Sequence, residues 1–282
     1  MGRVAAAPLI SVVIATRNAA ADLPRCLESL RQQSFRDFEV IVMDGASTDG
    51  TVELLKSAGD VVTAWRSEPD AGIFSAWNKA LALAKGEWFC VLGADDWLWD
   101  APAFERLAPH LRAAFPSHRI VYSRVRQVDA GGRVIADLGR PWEEFKGPFR
   151  SHVCLPHPGL MHHRSLWTAR GFDEGFRLAG DYEFLLRELK SGDALYVPVL
   201  TAGQQFGGRT TSPEHFLEMY REIGRALRVH GLSPPPLRWA WFLSTAWLYR
   251  RLYALLGDKA ARWFADAFRV ATLRRARHLP RE

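Results

Sequence analysis

Long hydrophobic runs, internal repeats and cysteine are all scarce in this chain of 282 residues. The uncharged run Trp239 to Tyr249 falls well short of the roughly 20 apolar residues a bilayer span requires, so a helix there can lie on a membrane but not cross it. Repeats and low-complexity tracts are absent, which excludes solenoids. The three cysteines, Cys26, Cys90 and Cys154, are odd in number and far apart. That excludes a disulfide framework and a thiolate zinc site, and a reducing, cytosolic compartment is expected. Histidine does not make up for them: His152, His157, His162 and His163 match no standard zinc spacing, and no acid or Cys completes a set. Nor does a glycine-rich phosphate loop follow the first apolar run, where Thr16-Arg17-Asn18 stands instead, so a G-x-G-x-x-G dinucleotide turn is excluded.

Excess charge of one sign is confined to one end. The formal net charge is +6, and the stretch from Arg250 to Glu282, with nine Lys or Arg against three Asp or Glu, holds all of it. A neutral body lacks the basic stripe that tracks nucleic acid, and no such partner is expected. Pro8 interrupts the apolar stretch from Arg3 to Ala15 and no small-residue cleavage pattern follows, so this stretch is read as a strand rather than a leader.

What the chain does have is 48% hydrophobic residues in a βα alternation from Leu9 to Asp96. Ile10 to Ala15 is an apolar run. The helix after it carries Leu23, Cys26, Leu27 and Leu30, with Asp22 as its cap and Pro24 in its first turn. Phe38 to Met43 follows, then a helix opened by Ser47-Thr48-Asp49, a strand at Val61 to Trp65, a helix carrying Ile73, Trp77, Ala80, Leu81 and Ala84, and the run Trp88 to Leu92. Runs apolar on both faces belong inside a parallel sheet. Beyond them the pattern predicts a helix over 101–115, two strands meeting at Ala130-Gly131-Gly132, an irregular loop over 142–163 with one short strand near Leu160, a helix from Asp181 to Leu189 and a strand from Leu195 to Leu200. The expectation is an α/β fold with a doubly wound, mostly parallel sheet over 1–212 (donor half about 1–100, acceptor half about 101–212) and a helical extension over 213–282. Its ligand site lies beyond the carboxyl ends of the strands.

Those ends present Thr16-Arg17-Asn18, Asp44-Gly45 and Gly93-Ala94-Asp95-Asp96. Adjacent carboxylates after a buried strand repel each other and resist desolvation unless a cation holds them. Hard oxygen ligands suit Mg or Mn, which usually bridge to phosphates, so Asp95 and Asp96 point to a nucleoside diphosphate.

Three ordered stretches, Asp44-Gly45-Ala46-Ser47-Thr48-Asp49-Gly50-Thr51, Ser67-Glu68-Pro69-Asp70-Ala71-Gly72-Ile73 leading into Asn78-Lys79, and Gly93-Ala94-Asp95-Asp96, resemble glycosyltransferase family 2, the inverting enzymes of GT-A fold. The similarity extends through Gly171-Phe172-Asp173-Glu174, Gly180-Asp181-Tyr182-Glu183 and Gly207-Gly208, covering roughly Leu9 to Ser212. The resemblance implies that Thr16, Arg17, Asn18 and Asp44 hold the base and ribose, that Asp70 and Asn78 lie beside the nucleotide with Lys79 a weaker candidate, that Asp95 takes the ribose or supports a metal, and that Asp96 ligates Mn or Mg. Asp181 matches the catalytic base, where many members carry Glu-Asp and this chain has Gly180-Asp181. Arg209 is placed near the diphosphate, and His157 and Glu183 on the acceptor side.

The implied activity is transfer of one sugar from a nucleoside diphosphate sugar, UDP-linked, to a glycan or lipid-linked acceptor in cell-surface polysaccharide or glycoconjugate synthesis. Gln204 to Arg209 lacks the Gln-x-x-Arg-Trp of processive members, which favours single transfer. The alternatives are a catalytically inactive binding or scaffolding protein and a sugar nucleotidyltransferase. For the tail, Trp239, Trp241, Trp247 and Trp263 among Arg250, Arg251, Arg262, Arg269, Arg274, Arg275 and Arg277 predict docking on an anionic membrane, peripheral on the inner face of the cytoplasmic membrane. The competing expectation is packing on the catalytic domain or a homo-oligomer.

Overall fold

The computed structural model describes residues 7–129, 131–151, 155–168, 170–205, 213–233 and 236–271. Its first half is built of βα units: β1 (Ile10–Thr16), α1 (Leu23–Arg31), β2 (Phe38–Asp44), α2 (Thr51–Ser57), β3 (Ala64–Ser67), α3 (Ile73–Leu83) and β4 (Trp88–Gly93). β1 and β4 are almost wholly buried, and β1 pairs in parallel with both β2 and β4 while β3 extends the sheet from β2. β-branched runs without alternation form these strands because helices cover both faces. One layer contains Leu23, Leu27, Leu55 and Leu107, and the other contains Phe74, Trp77, Leu185 and Leu189.

The second half follows as β5 (Trp97–Leu98), α4 (Ala103–Ala114), β6 (Ile120–Val128), β7 (Val134–Leu138), α5 (Trp142–Phe149), β8 (Leu160–His163), α6 (Gly180–Leu189) and β9 (Leu195–Gln205). The sheet order is β3-β2-β1-β4-β8-β6-β9-β5, with β7 beside β6. β8 is antiparallel to both β4 and β6, so one short strand joins the parallel nucleotide half to the mixed second half. The whole is a mixed α/β sheet with helices packed on it.

Three local expectations are corrected. The third strand begins at Ala64 rather than Val61, because the Val61 and Val62 N–H groups both donate to Ala58 O and finish α2. α2 starts at Thr51 after a left-handed Gly50 (φ 100°), and Ser47 faces Asp44 instead of capping it. The aromatic region 142–163 contains α5 despite Pro148; Trp142 is buried, and its Nε1–H donates to Asp193 at 2.6 Å.

The last described elements are α7 (Pro213–Val229) and α8 (Pro236–Ala271). Ile223, Ala226 and Leu227 of α7, with Trp239 and Phe242 of α8, belong to the same core as α3 and α6. The opposite side of α8 leaves Leu237, Trp241, Leu248 and Leu255 exposed, spaced by whole turns. Gly257 (φ 77°) breaks the helix, and among the described residues no helix is long and apolar enough to cross a membrane.

Candidate functional site

Strand register sets the site in one row. Thr16 lies opposite Asp44, Ser67 lies opposite Asp44 on the other side, and Ala15 lies opposite Gly93. Asp44 is the hub of this edge and is 2% exposed. Its Oδ1 accepts from the Thr16 hydroxyl at 2.9 Å and from the Ser47 hydroxyl, and its Oδ2 accepts from Ser47 N–H at 2.9 Å and the Ser67 hydroxyl at 2.6 Å. Burial acts to raise this carboxyl, yet the hydrogen bonds from Ser47, Ser67 and Thr16 outweigh it and hold the group below the usual carboxylate range. It is an anion at neutral pH that ties three strand ends together.

Asn18 serves the adjacent turn. Its backbone is left-handed (φ 50°), its N–H donates to Ser47 Oγ at 2.7 Å, and its Oδ1 accepts from Thr48 N–H at 2.9 Å. Arg17 is exposed beside it. A Cβ on Gly45 would come within 2.8 Å of Asp70 Oδ2 and 3.5 Å of Arg17 Cδ, so this glycine is what lets both side chains close on the turn. Lys79 pairs with Glu68 at 2.7 Å and so braces the segment carrying Asp70.

The acid pair follows β4 directly. Asp95 is half-buried and Asp96 is 7% exposed. Asp96 Oδ2 accepts from Gly93 N–H at 2.9 Å, whereas Oδ1 is buried with no hydrogen-bond partner among the described residues. Burial and the Asp95 charge push the Asp96 carboxyl up to about 8, against the Gly93 N–H and Arg25. A Cβ on Gly93 would meet Asp95 Oδ1 at 2.6 Å and Asp96 Oδ2 at 2.9 Å, so both carboxylates fold back over a position only glycine leaves open. Arg25 stacks 3.4 Å over Trp97 and donates to Asp95 O at 3.3 Å, placing one fixed cation at the rim. A buried, unpartnered carboxylate oxygen beside a second acid fits a divalent cation. Among the described residues no group of three or more His, Cys, Asp or Glu is arranged to hold one, so a ligand's oxygens must complete its shell.

Helix α3 joins this edge to Asp181. Asn78 spends its carboxamide on the 172–174 turn: Nδ2 donates to Phe172 O at 3.0 Å and Glu174 Oε1 at 2.8 Å, and Oδ1 accepts from Phe172 N–H at 2.8 Å. Phe172 packs on Phe74 and Trp77, with ring centroids 5.9 and 5.1 Å away. A Cβ on Gly180 would come within 2.7 Å of the Phe74 ring, so α6 starts hard against α3 with Asp181 half-buried in its first turn. A carboxylate there is favoured by the helix dipole.

His157 stacks on Trp77 at 5.2 Å, its ring nitrogens buried and without a hydrogen-bond partner among the described residues. Burial lowers its pKa, and the charge of Asp181 opposes that shift. His162, stacked on Phe89 at 4.5 Å, is pushed down to about 3 by burial and by His157, and is a neutral core residue.

Glu183 is corrected. Expected on the acceptor side, it is fully buried and bonded to Arg187 at 2.5 Å and, at 3.0 Å, to His230 just after α7. Two residues along the helix carry it about 200° around the axis, away from Asp181 and into the α6–α7 seam. Arg209 lies outside the described residues. Sequence reasoning missed Ser47 and Ser67 as the donors that fix Asp44, and Arg25 as the cation near the acid pair. A hydroxyl two residues before Pro69 was the available signal for Ser67; Arg25 had none, because only the fold brings α1 to the end of β4.

The family model described as Glycosyl transferase family 2 matches residues 11–168. A PGL/p-HBAD biosynthesis glycosyltransferase of Mycobacterium bovis (strain BCG / Pasteur 1173P2) is 32% identical over 212 residues, covering 72% of this chain and 79% of the relative. Among solved structures, S. aureus TarS 1-349 in complex with UDP-GlcNAc superposes with a TM-score of 0.59 at 19% identity over 87% of this chain and 73% of that one. The mannosyltransferase PcManGT from Pyrobaculum calidifontis, in complex with GDP-Man and Mn2+, gives 0.62 at 20% identity over 95% and 81%.

Proposed function

Since the chain belongs to glycosyl transferase family 2, we propose that it moves a single sugar from a nucleoside diphosphate sugar, UDP-linked, to an acceptor hydroxyl with inversion. The observation that carries this reading is the buried, unpartnered Asp96 oxygen beside Asp95, at the end of the strand that registers with β1. Neighbours of the same fold that hold UDP-GlcNAc, or GDP-Man with Mn2+, support a nucleotide-sugar donor and a divalent cation, Mn or Mg.

In this reading the turn around Asp44, with Thr16, Arg17, Asn18 and Asp70, receives the base and ribose, and Asp95 and Asp96 would hold a divalent cation. When bound, the cation supplies positive charge to the leaving diphosphate. Asp181 accepts the proton of the acceptor hydroxyl as that oxygen attacks the anomeric carbon. His157 borders the acceptor side, and Asn78 acts by holding the turn that seats α6. One base and one in-line displacement give inversion.

The acceptor is proposed to be a lipid-linked glycan intermediate, reached while α8 rests on the inner face of the cytoplasmic membrane. The exposed row Leu237, Trp241, Leu248 and Leu255 supports this, as does the basic excess that follows. Sedimentation with anionic vesicles at low salt is expected to pellet the protein, and failure to pellet would remove the membrane part alone.

The donor reading is tested by a thermal-shift screen of nucleoside diphosphates and their sugars with and without Mn or Mg. Ligand at about 100 times Kd stabilises by roughly 2.7 kcal/mol. A rise with UDP plus metal is expected; no response to any nucleotide would overturn the reading.

A further inference from the structure

We infer that Glu222 of α7 is a positioning residue for Asp181, making the helical extension part of the catalytic apparatus; the inference rests on Asp181 being the base. The Glu222 carboxylate receives three backbone N–H groups in succession: Arg177 donates to Oε1, and Leu178 and Ala179 donate to Oε2, each at 2.8 Å. Ala179 is the N-cap of α6, and Asp181 is two residues further on. The N–H of the N-cap residue, which a Glu or Gln of the helix's own first turn often receives, is bound here by a carboxylate from another helix.

Arg225 of α7 and His230, the residue after its last turn, grip the same region. Arg225 donates to Gly175 O at 3.0 Å and lies 4.3 Å over the Phe176 ring, and His230 bonds Glu183 at 3.0 Å. On the other side Gly180 touches Phe74. The start of α6 is thus clamped between α3 and α7, and the α7 side of the clamp centres on one carboxylate making charge-assisted bonds.

The site's division of labour makes this testable. The nucleotide edge is built from the ends of β1, β2, β3 and β4, none of which Glu222 touches. Loss of its carboxylate releases the 177–179 backbone and misplaces Asp181 while leaving donor binding intact, and small misplacements of a base are costly. A purely structural role would lower stability without separating kcat from KM.

The experiment compares Glu222→Gln, Glu222→Ala, Asp181→Asn and the double variants in the full chain. Amide exchange of the 177–181 segment needs no substrate and is expected to quicken at least tenfold in Glu222→Ala. Nucleoside diphosphate release from UDP-GlcNAc or GDP-mannose with Mn2+, whichever the protein hydrolyses, is expected to show kcat down at least tenfold in Glu222→Gln with donor KM within twofold. In the Asp181→Asn background the same change should cost less than twofold more.

Unchanged exchange, donor KM rising with the loss of kcat, or losses that multiply in the double variant would overturn the inference. If Asp181→Asn alone keeps its activity, the assignment of the base has failed instead. If Asp181→Asn is inactive while Glu222→Gln turns over normally, the base stands and the role of Glu222 is refuted.

Discussion

Asp181→Asn is expected to lower turnover by about 10²-fold or more, the scale of a lost general base, while donor affinity changes by less than about twofold. The substitution is close to isosteric, and α6 is seated by contacts that other residues make. The N-cap amides are held by Glu222, Gly180 rests on Phe74, and the 172–174 turn is held by Asn78. The helix should therefore keep its place and lose only its proton acceptor. Initial rates of nucleoside diphosphate release measure the first quantity and calorimetry the second. Rates within tenfold of the parent would move the base elsewhere, but not to Glu183, which is buried and ion-paired with Arg187.

The parallel half of the fold was legible because its signals are local. Apolar runs of strand length alternate with helical faces, and each run ends at the polar residues that now line the edge. Register then aligns those ends without further information. The second half was less legible. β8 matches the short strand expected near Leu160, but its place between β4 and β6, antiparallel to both, is set by tertiary pairing that no local pattern shows. α5 lay inside the stretch read as an irregular loop: Gly147 and Pro148 interrupt its period, although Trp142, Phe145 and Phe149 bury one face.

Site residues divide in the same way. Asp44, Asp95, Asp96 and Asp181 stand out because acids at the ends of apolar elements demand an explanation. Thr16, Asn18 and Asn78 were named from the sequence, but their side chains are engaged by the protein itself, which only coordinates could reveal. Glu222 was invisible, since an exposed-looking Glu in an amphipathic helix carries no mark of the three amides it meets.

Asp96→Asn is expected to abolish the metal-dependent part of donor binding and to flatten the response of stability to pH. Asn retains an oxygen for the Gly93 N–H, so the turn after β4 should survive, but the buried Oδ1, which meets no hydrogen-bond partner among the described residues, loses its charge. In the cation-free protein the Asp96 carboxyl lies at about 8 because of burial and the Asp95 charge, against 3.8 for an ordinary aspartate. Between those two values the folded chain keeps a proton that the unfolded chain has released. Stability is then greatest below the lower value and declines as pH rises toward the upper one, by at most about 1.4 kcal/mol per unit. A cation that binds the carboxylate removes this penalty, so stabilisation by Mn or Mg should grow from about pH 5 to about pH 8 and release a proton as it binds. Thermal midpoints of parent and Asp96→Asn across that range, with and without Mn, measure both effects. Calorimetry with UDP and Mn reads the loss of binding directly. An Asp96→Asn protein that still responds to Mn as the parent does would place the cation elsewhere and leave the unpartnered oxygen without a chemical role.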